Sequence, residues 1–171
     1  AAMLQLASKI PHIERLDLTS IILYPKVDVM FQAVIDLLSC DDRTWTSVSI
    51  DDCQGIPTQF LSNCLVASNN IKSLCLIDND LSRCCFEELG PVLAANETLL
   101  ELRLTESFSC SDMHHFADGL KNNKTLTRLD FLGSSFGEFD RNRRSTVEDL
   151  ASGLQANQGI RTLSLRQCML H

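Results

Sequence analysis

No stretch of the 171 residues approaches the ~20 consecutive apolar residues that a membrane-spanning helix requires, so membrane insertion is not expected. The eight cysteines (40, 53, 64, 75, 84, 85, 110 and 168) contain no pair spaced as C-x-x-C. Neither a zinc knuckle nor a thioredoxin-like redox motif is therefore written here. There is no Walker A loop, no dinucleotide fingerprint and no H-E-x-x-H, so neither cofactor nor metal is expected. Positive charge is scarce as well: 15 Lys and Arg stand against 22 Asp and Glu, a net charge of -7. Nucleic acid binding relies on clustered cations that displace counterions, so nucleic acid is not the expected partner. The short basic run Arg141-Asn142-Arg143-Arg144 reads as a solvated loop. With 44% hydrophobic and 22% charged residues and no secretory signal, the composition suits an intracellular, cytoplasmic domain whose cysteines are mostly buried thiols.

What the chain does have is a phrase that recurs six times, with an apolar residue at positions one, four and six and, in every copy but the first, where Ile21 stands, a small polar residue at nine. The copies are Ile13-Leu16-Leu18, Trp45-Val48-Ile50-Cys53, Ile71-Leu74-Leu76-Asn79, Leu99-Leu102-Leu104-Ser107, Leu126-Leu129-Phe131-Ser134 and Ile160-Leu163-Leu165-Cys168. Their first residues are 32, 26, 28, 27 and 34 apart. Between them a second phrase recurs: Leu93, Asn96 and Leu99; Leu120, Asn123 and Leu126; Leu154, Asn157 and Ile160. Leu65, Ser68 and Ile71 repeat it with serine in the middle. Upstream of each, apolar residues fall at helical spacing, as in Phe86-Leu89-Leu93, Phe116-Leu120 and Leu150-Leu154, one buried stripe per helix. The unit is strand, loop, helix, short loop.

This pattern resembles the leucine-rich repeat, L-x-x-L-x-L-x-x-N/C-x-L, and in its length the ribonuclease-inhibitor-like class of such proteins. The resemblance covers residues 1–171 as one α/β solenoid, a horseshoe arc of about six strands that begin near 13, 45, 71, 99, 126 and 160. It implies a parallel sheet on the concave side and helices on the convex side. Positions four and six then point into the core with the helix stripes, because alternate strand residues face opposite sides. At position nine a small polar side chain satisfies the backbone groups left unpaired where the chain leaves the strand. Asn79 suits that slot best, and Cys53 and Cys168 take it in the way the class permits.

Parallel register brings equal positions of neighbouring copies ~4.8 Å apart, so columns of surface residues follow directly. Position three runs Arg15, Ser47, Ser73, Glu101, Arg128, Thr162, and position five runs Asp17, Ser49, Cys75, Arg103, Asp130, Ser164. The fourth and fifth copies carry opposite charges in both columns, which predicts two cross-strand ion pairs, Glu101 with Arg128 and Arg103 with Asp130. Cys75 lies on this outward face and is the cysteine expected to react first. Position eight places Asp52, Asp78 and Glu106 on consecutive copies with Asp51 beside them, a cluster that suits a cationic partner or stays solvated. Open strand-end carboxylates rarely enclose the 6–8 oxygens that calcium takes. Two copies carry insertions between strand and helix, residues 21–26 and 137–145, whose aromatic residues Tyr24 and Phe139 are candidate contacts. The second insertion ends on a capping box, Ser145 with Glu148.

Three motifs invite other readings. Gly133-Ser134-Ser135-Phe136-Gly137 matches the G-x-S-x-G elbow of serine hydrolases, but no helix starts at once behind the serine and the only downstream histidine is His171. Asn96-Glu97-Thr98 and Asn123-Lys124-Thr125 match the glycosylation sequon, yet both occupy the helix-to-strand turn, where those residues serve the turn itself. His114 and His115 are adjacent on a helix, about 100° apart, and cannot share a metal as an i, i+4 pair can.

The expected function is therefore recognition without catalysis. The chain reads as a protein-protein interaction scaffold that binds one or more proteins on its concave face or inserted loops, alone or as a subunit of a larger assembly, with no small-molecule substrate. Two alternatives accompany the resemblance: a GTPase-activating protein for a small GTPase, and the sensor repeats of an intracellular immune or stress receptor. Met3 to Ile10 reads as the end of a preceding helix, so the chain is expected to be a fragment of a longer array.

Overall fold

In the computed structural model of the chain, the residues described are 12–20, 27–39, 45–53, 56–57, 59–77, 79, 84–105, 109–110, 113–133, 135–136 and 146–170. Nine strands and five helices alternate among them. The strands are β1 (Arg15–Thr19), β2 (Ser47–Asp51), β3 (Ser73–Ile77), β4 (Glu101–Thr105), β5 (Ser109–Cys110), β6 (Arg128–Leu132), β7 (Ser135–Phe136), β8 (Thr162–Arg166) and β9 (Met169–Leu170). The helices are α1 (Val27–Leu38), α2 (Phe60–Ala67), α3 (Cys84–Ala95), α4 (His114–Asn122) and α5 (Thr146–Ala156).

The five-residue strands form one parallel sheet in chain order, β1-β2-β3-β4-β6-β8, and the short ones a second parallel sheet, β5-β7-β9. Register in the large sheet is position to position throughout, so Leu16, Val48, Leu74, Leu102, Leu129 and Leu163 lie in one row. The cause is the repeat itself. A slip by one residue would turn every position-four and position-six side chain out of the core.

The core lies on one face of the sheet, where strand residues meet the helix stripes. Val48, Ile50, Leu74, Leu76, Leu102, Leu104, Leu129 and Phe131 are fully buried together with Phe86, Leu93, Phe116 and Leu120. Aromatic rings link successive units: Phe31 lies 4.5 Å from Phe60, and Phe116 packs on Phe86 at 5.3 Å and on Phe131 at 6.2 Å. Trp45 is wholly buried and donates its indole N–H to the Leu37 carbonyl at 3.1 Å, so its polar edge is satisfied. No helix among the described residues is long and apolar enough to cross a membrane.

Asparagines knit the helix-to-strand turns. The carboxamide oxygen of Asn123 accepts the Thr125 and Leu126 N–H groups at 3.1 and 2.7 Å. Its nitrogen donates back to the Leu93 and Asn96 carbonyls at 2.7 and 3.0 Å. Asn157 repeats this arrangement one unit later, with Gly159 and Ile160 as donors and the Leu120 and Asn123 carbonyls as acceptors. Position nine does equivalent work on the other side of the strand. Asn79 donates to the Ile50 carbonyl at 2.8 Å and accepts the Cys53 N–H at 3.0 Å. The Cys53 and Cys168 thiols point at the position-six carbonyls of the preceding copies, Leu18 at 3.8 Å and Phe131 at 3.5 Å. Cysteine fits the slot because it, too, carries a small donor.

Candidate interaction face of the sheet

Because the helix stripes take positions four and six, positions three, five and seven of every strand come to the opposite face. On β2 and β3 these are Ser47, Ser49, Ser73 and Cys75, all half-buried and all small. Small side chains on a pleated surface leave a depression, here a shallow trough of about 570 Å³ whose walls include Arg15, Lys72, Glu101 and Arg103. The hydroxyls along its floor offer both donors and acceptors.

The next two strands carry charge. Register sets Glu101 opposite Arg128 and Arg103 opposite Asp130, as the columns predicted. Arg103 does reach across to Asp130, with Nε 3.6 Å from Oδ2. The other expected pair is replaced: Glu101 closes on Arg103 of its own strand at 3.2 Å, and Arg128 on Asp130 of its own strand. Both Nε and Nη2 of Arg128 lie 2.9 Å from Asp130 Oδ2. Residues i and i+2 share a face, and Asp130 draws both arginines because it is the most enclosed charge of the four, its side chain 13% exposed. The bonded Asp130 carboxylate pushes the Arg128 guanidinium further up. Asp130 Oδ1 is buried with no hydrogen-bond partner, so the group is polar, enclosed and half satisfied.

Of the acidic column at the strand ends, Asp52 and its neighbour Asp51 lie among the described residues. Asp51 is half-buried at the end of β2, and Asp52 is exposed and accepts a hydrogen bond from the Ser20 hydroxyl at 3.1 Å. Asp78, Glu106, Tyr24 and Phe139 lie outside the described residues, as do Ser145 of the capping box, Ser134 of the elbow motif and Met3 to Ile10. What the column reading missed is a backbone property. Ser20, Asp52, Gly133 and Gln167, all at position eight, have φ of 50, 49, 68 and 54°, the left-handed region. Aspartate is enriched there, so the turn accounts for Asp52 without any partner. A signal was legible at position eight itself, which holds Gly133 in the fifth copy and aspartate in the second and third.

Cys75 is half-buried, and burial pushes its thiol up, with a Ser49 hydrogen bond and the Arg103 charge working in the opposite direction. Cys53 and Cys64 are buried, whereas Cys75 and Cys168 are both half-buried. The elbow motif continues into strand, since Ser135 and Phe136 form β7 between β5 and β9. His114 and His115 are exposed; the former faces Asp118 at 3.6 Å and Asp149 at 3.9 Å. No group of three or more metal-ligating side chains occurs among the described residues. The Asn123 amide nitrogen, which a glycan would have to join, is committed to carbonyls at a residue only 2% exposed.

Neither the protein-family models nor the curated proteins include a match to this chain.

Proposed function

We propose that the chain is a leucine-rich-repeat solenoid of the ribonuclease-inhibitor-like class, and that it serves as a non-catalytic scaffold binding a partner protein on the open face of its sheet. The single observation that carries this reading is the composition of that face: a trough floored by Ser47, Ser49, Ser73 and Cys75, bordered by the Glu101, Arg103, Asp130 and Arg128 network. Such a face is preformed by the sheet, so a partner meets it without much further loss of conformational entropy. Fixed charges of both signs select register and orientation more than they add affinity. Lys72 and Arg15 on one rim and Asp51 and Asp52 near the strand ends would steer a partner of complementary pattern.

The test is affinity capture from native extract with wild type, a Ser49→Trp/Ser73→Trp variant that fills the trough, and an Asp51→Lys/Asp52→Lys variant. Circular dichroism first establishes that all three fold. Partners captured by wild type should be lost from the filled trough and weakened by the charge reversal. If the same partners stay with both variants, recognition lies on the helices or the inserted loops and the open face is not the site.

A further inference from the structure

The asparagine staple that joins successive helix-to-strand turns is incomplete at one junction. Asn123 and Asn157 each accept two N–H groups of their own turn and donate back to two carbonyls of the preceding copy. Asn96 holds the same place and makes the first half of this arrangement, accepting the Thr98 and Leu99 N–H groups at 3.0 and 2.7 Å. Its amide nitrogen makes no bond back among the described residues, so the Leu65 and Ser68 carbonyls receive no carboxamide. The neighbouring hydroxyl is stranded as well. Thr125 Oγ1 donates to the Asn96 carbonyl at 3.3 Å, but Thr98 Oγ1, its counterpart one copy earlier, is buried with no hydrogen-bond partner.

The helices at this junction also lack what brings the others together. A Cβ on Gly90 of α3 would run into the His115 carbonyl oxygen of α4, so those two backbones touch, whereas α2 contains no glycine. Between α2 and α3 lies a cleft of about 600 Å³, within the ~300–1,000 Å³ typical of ligand-binding clefts. Val66, Pro91, Val92 and Ala95 line it, together with Glu97 and Thr98 just beyond the end of α3. Val66 is 67% exposed there.

Charge around the cleft is of one sign. Residues 59–71 and 84–100 contain no lysine or arginine, while Glu87, Glu88 and Glu97 are all exposed carboxylates. The flanking strands are parallel, so α2 and α3 run the same way and bring both C-terminal ends to the Glu97 end of the cleft. Neither last turn holds a basic residue. The unpaired carbonyls of a helix C-terminus carry about half a negative charge, which attracts a cation. We propose that this cleft docks an arginine-bearing segment of a partner protein, a contact separate from the open face of the sheet. The methylene stem of the arginine lies along Val66, Pro91 and Val92, and its guanidinium meets the Glu97 carboxylate and the carbonyls at the end of α2. Arginine suits the site better than lysine, because its planar fork of donors serves a carboxylate and a carbonyl together and is more weakly hydrated.

Amide NMR of the 171-residue chain, titrated with acetyl-Leu-Arg-Leu-amide and with its glutamine and glutamate counterparts, tests this. The arginine peptide should shift the amides of Val66, Asn69, Ala95 and Thr98 with a Kd in the millimolar range, and the glutamine peptide should bind about fivefold more weakly. The glutamate peptide should leave those amides unmoved. Ala95→Trp and Val66→Trp, changes at exposed positions that fill the cleft, should abolish the shifts at an unchanged thermal midpoint. Glu97→Gln should weaken the arginine peptide about threefold and leave the glutamine peptide as it was. Shifts centred on Asp17, Asp51 and Asp52 in place of the cleft would mean attraction by the net charge of -7 alone and would overturn the proposal. Equal binding of the arginine and glutamine peptides, or no shift at about 20 mM, would overturn it too.

Discussion

Single polar side chains carry much of the joining between copies. Asn79 is 1% exposed and holds a carbonyl of one copy and an amide of the same copy's turn at once. Replacing it by alanine takes the carboxamide donor away from the buried Ile50 carbonyl. Asn79→Ala should cost about 2 kcal/mol, because a buried group without a partner loses its full solvation. Urea denaturation would read the loss, and an unchanged midpoint would mean that water enters and replaces the carboxamide. Asn123 was legible from the sequence, where the recurrence of asparagine before three of the strands suggested a turn role ahead of a glycosylation site. Its bonds back to Leu93 and Asn96 were not, since they join residues 30 and 27 positions apart.

At the scale of elements, the helices differ in how closely they stack. A Cβ on Gly119 would meet the Gly90 carbonyl oxygen, a Cβ on Gly90 the His115 carbonyl oxygen, and one on Gly153 would lie 2.6 Å from the Ala117 oxygen. The backbones of α3, α4 and α5 are thus in direct contact, and α3 stays helical through Pro91, whose side lies in solvent. Gly119→Ala should cost about 2–3 kcal/mol despite alanine's better helix propensity, because the added methyl has only backbone to displace. A thermal midpoint equal to or above wild type would show that α3 and α4 separate freely. Sequence periodicity locates each helix and its buried stripe, since that stripe is a property of one segment. It is silent on helix spacing, which depends on pairs of glycines from different segments.

For the whole molecule, the response to alkaline pH follows from where the thiols sit. Burial pushes Cys64 well above its ordinary value of 9.0, while the unfolded chain titrates near that value. Below pH 9 both states hold the proton and the thiol leaves stability unchanged; above it only the unfolded chain gives the proton up, so stability falls as pH rises. The fall approaches about 1.4 kcal/mol per pH unit for a fully buried thiol. Denaturation of wild type and Cys64→Ala between pH 7 and pH 10.5 isolates it: the variant should lose less stability with rising pH. Parallel pH profiles would show that the thiol reaches solvent in the folded state. Charge on the open face also belongs to this scale. Alternating signs in the columns could be read from the sequence, but the choice of Asp130 over Glu101 as the partner of Arg128 could not, since enclosure decides it.

The sequence by itself determined which residues enter the core, the order and parallel register of the large sheet, and the polar residue at each turn, because each follows from a period repeated along one chain. Only the tertiary structure decided the rest: the i, i+2 ion pairs around Asp130, the left-handed backbone at position eight, the contact of α3, α4 and α5, and the half-burial of Cys75. The physical reason is common to them all. Enclosure and backbone approach are relations among segments far apart in sequence, and a local pattern carries no information about what lies on its other side.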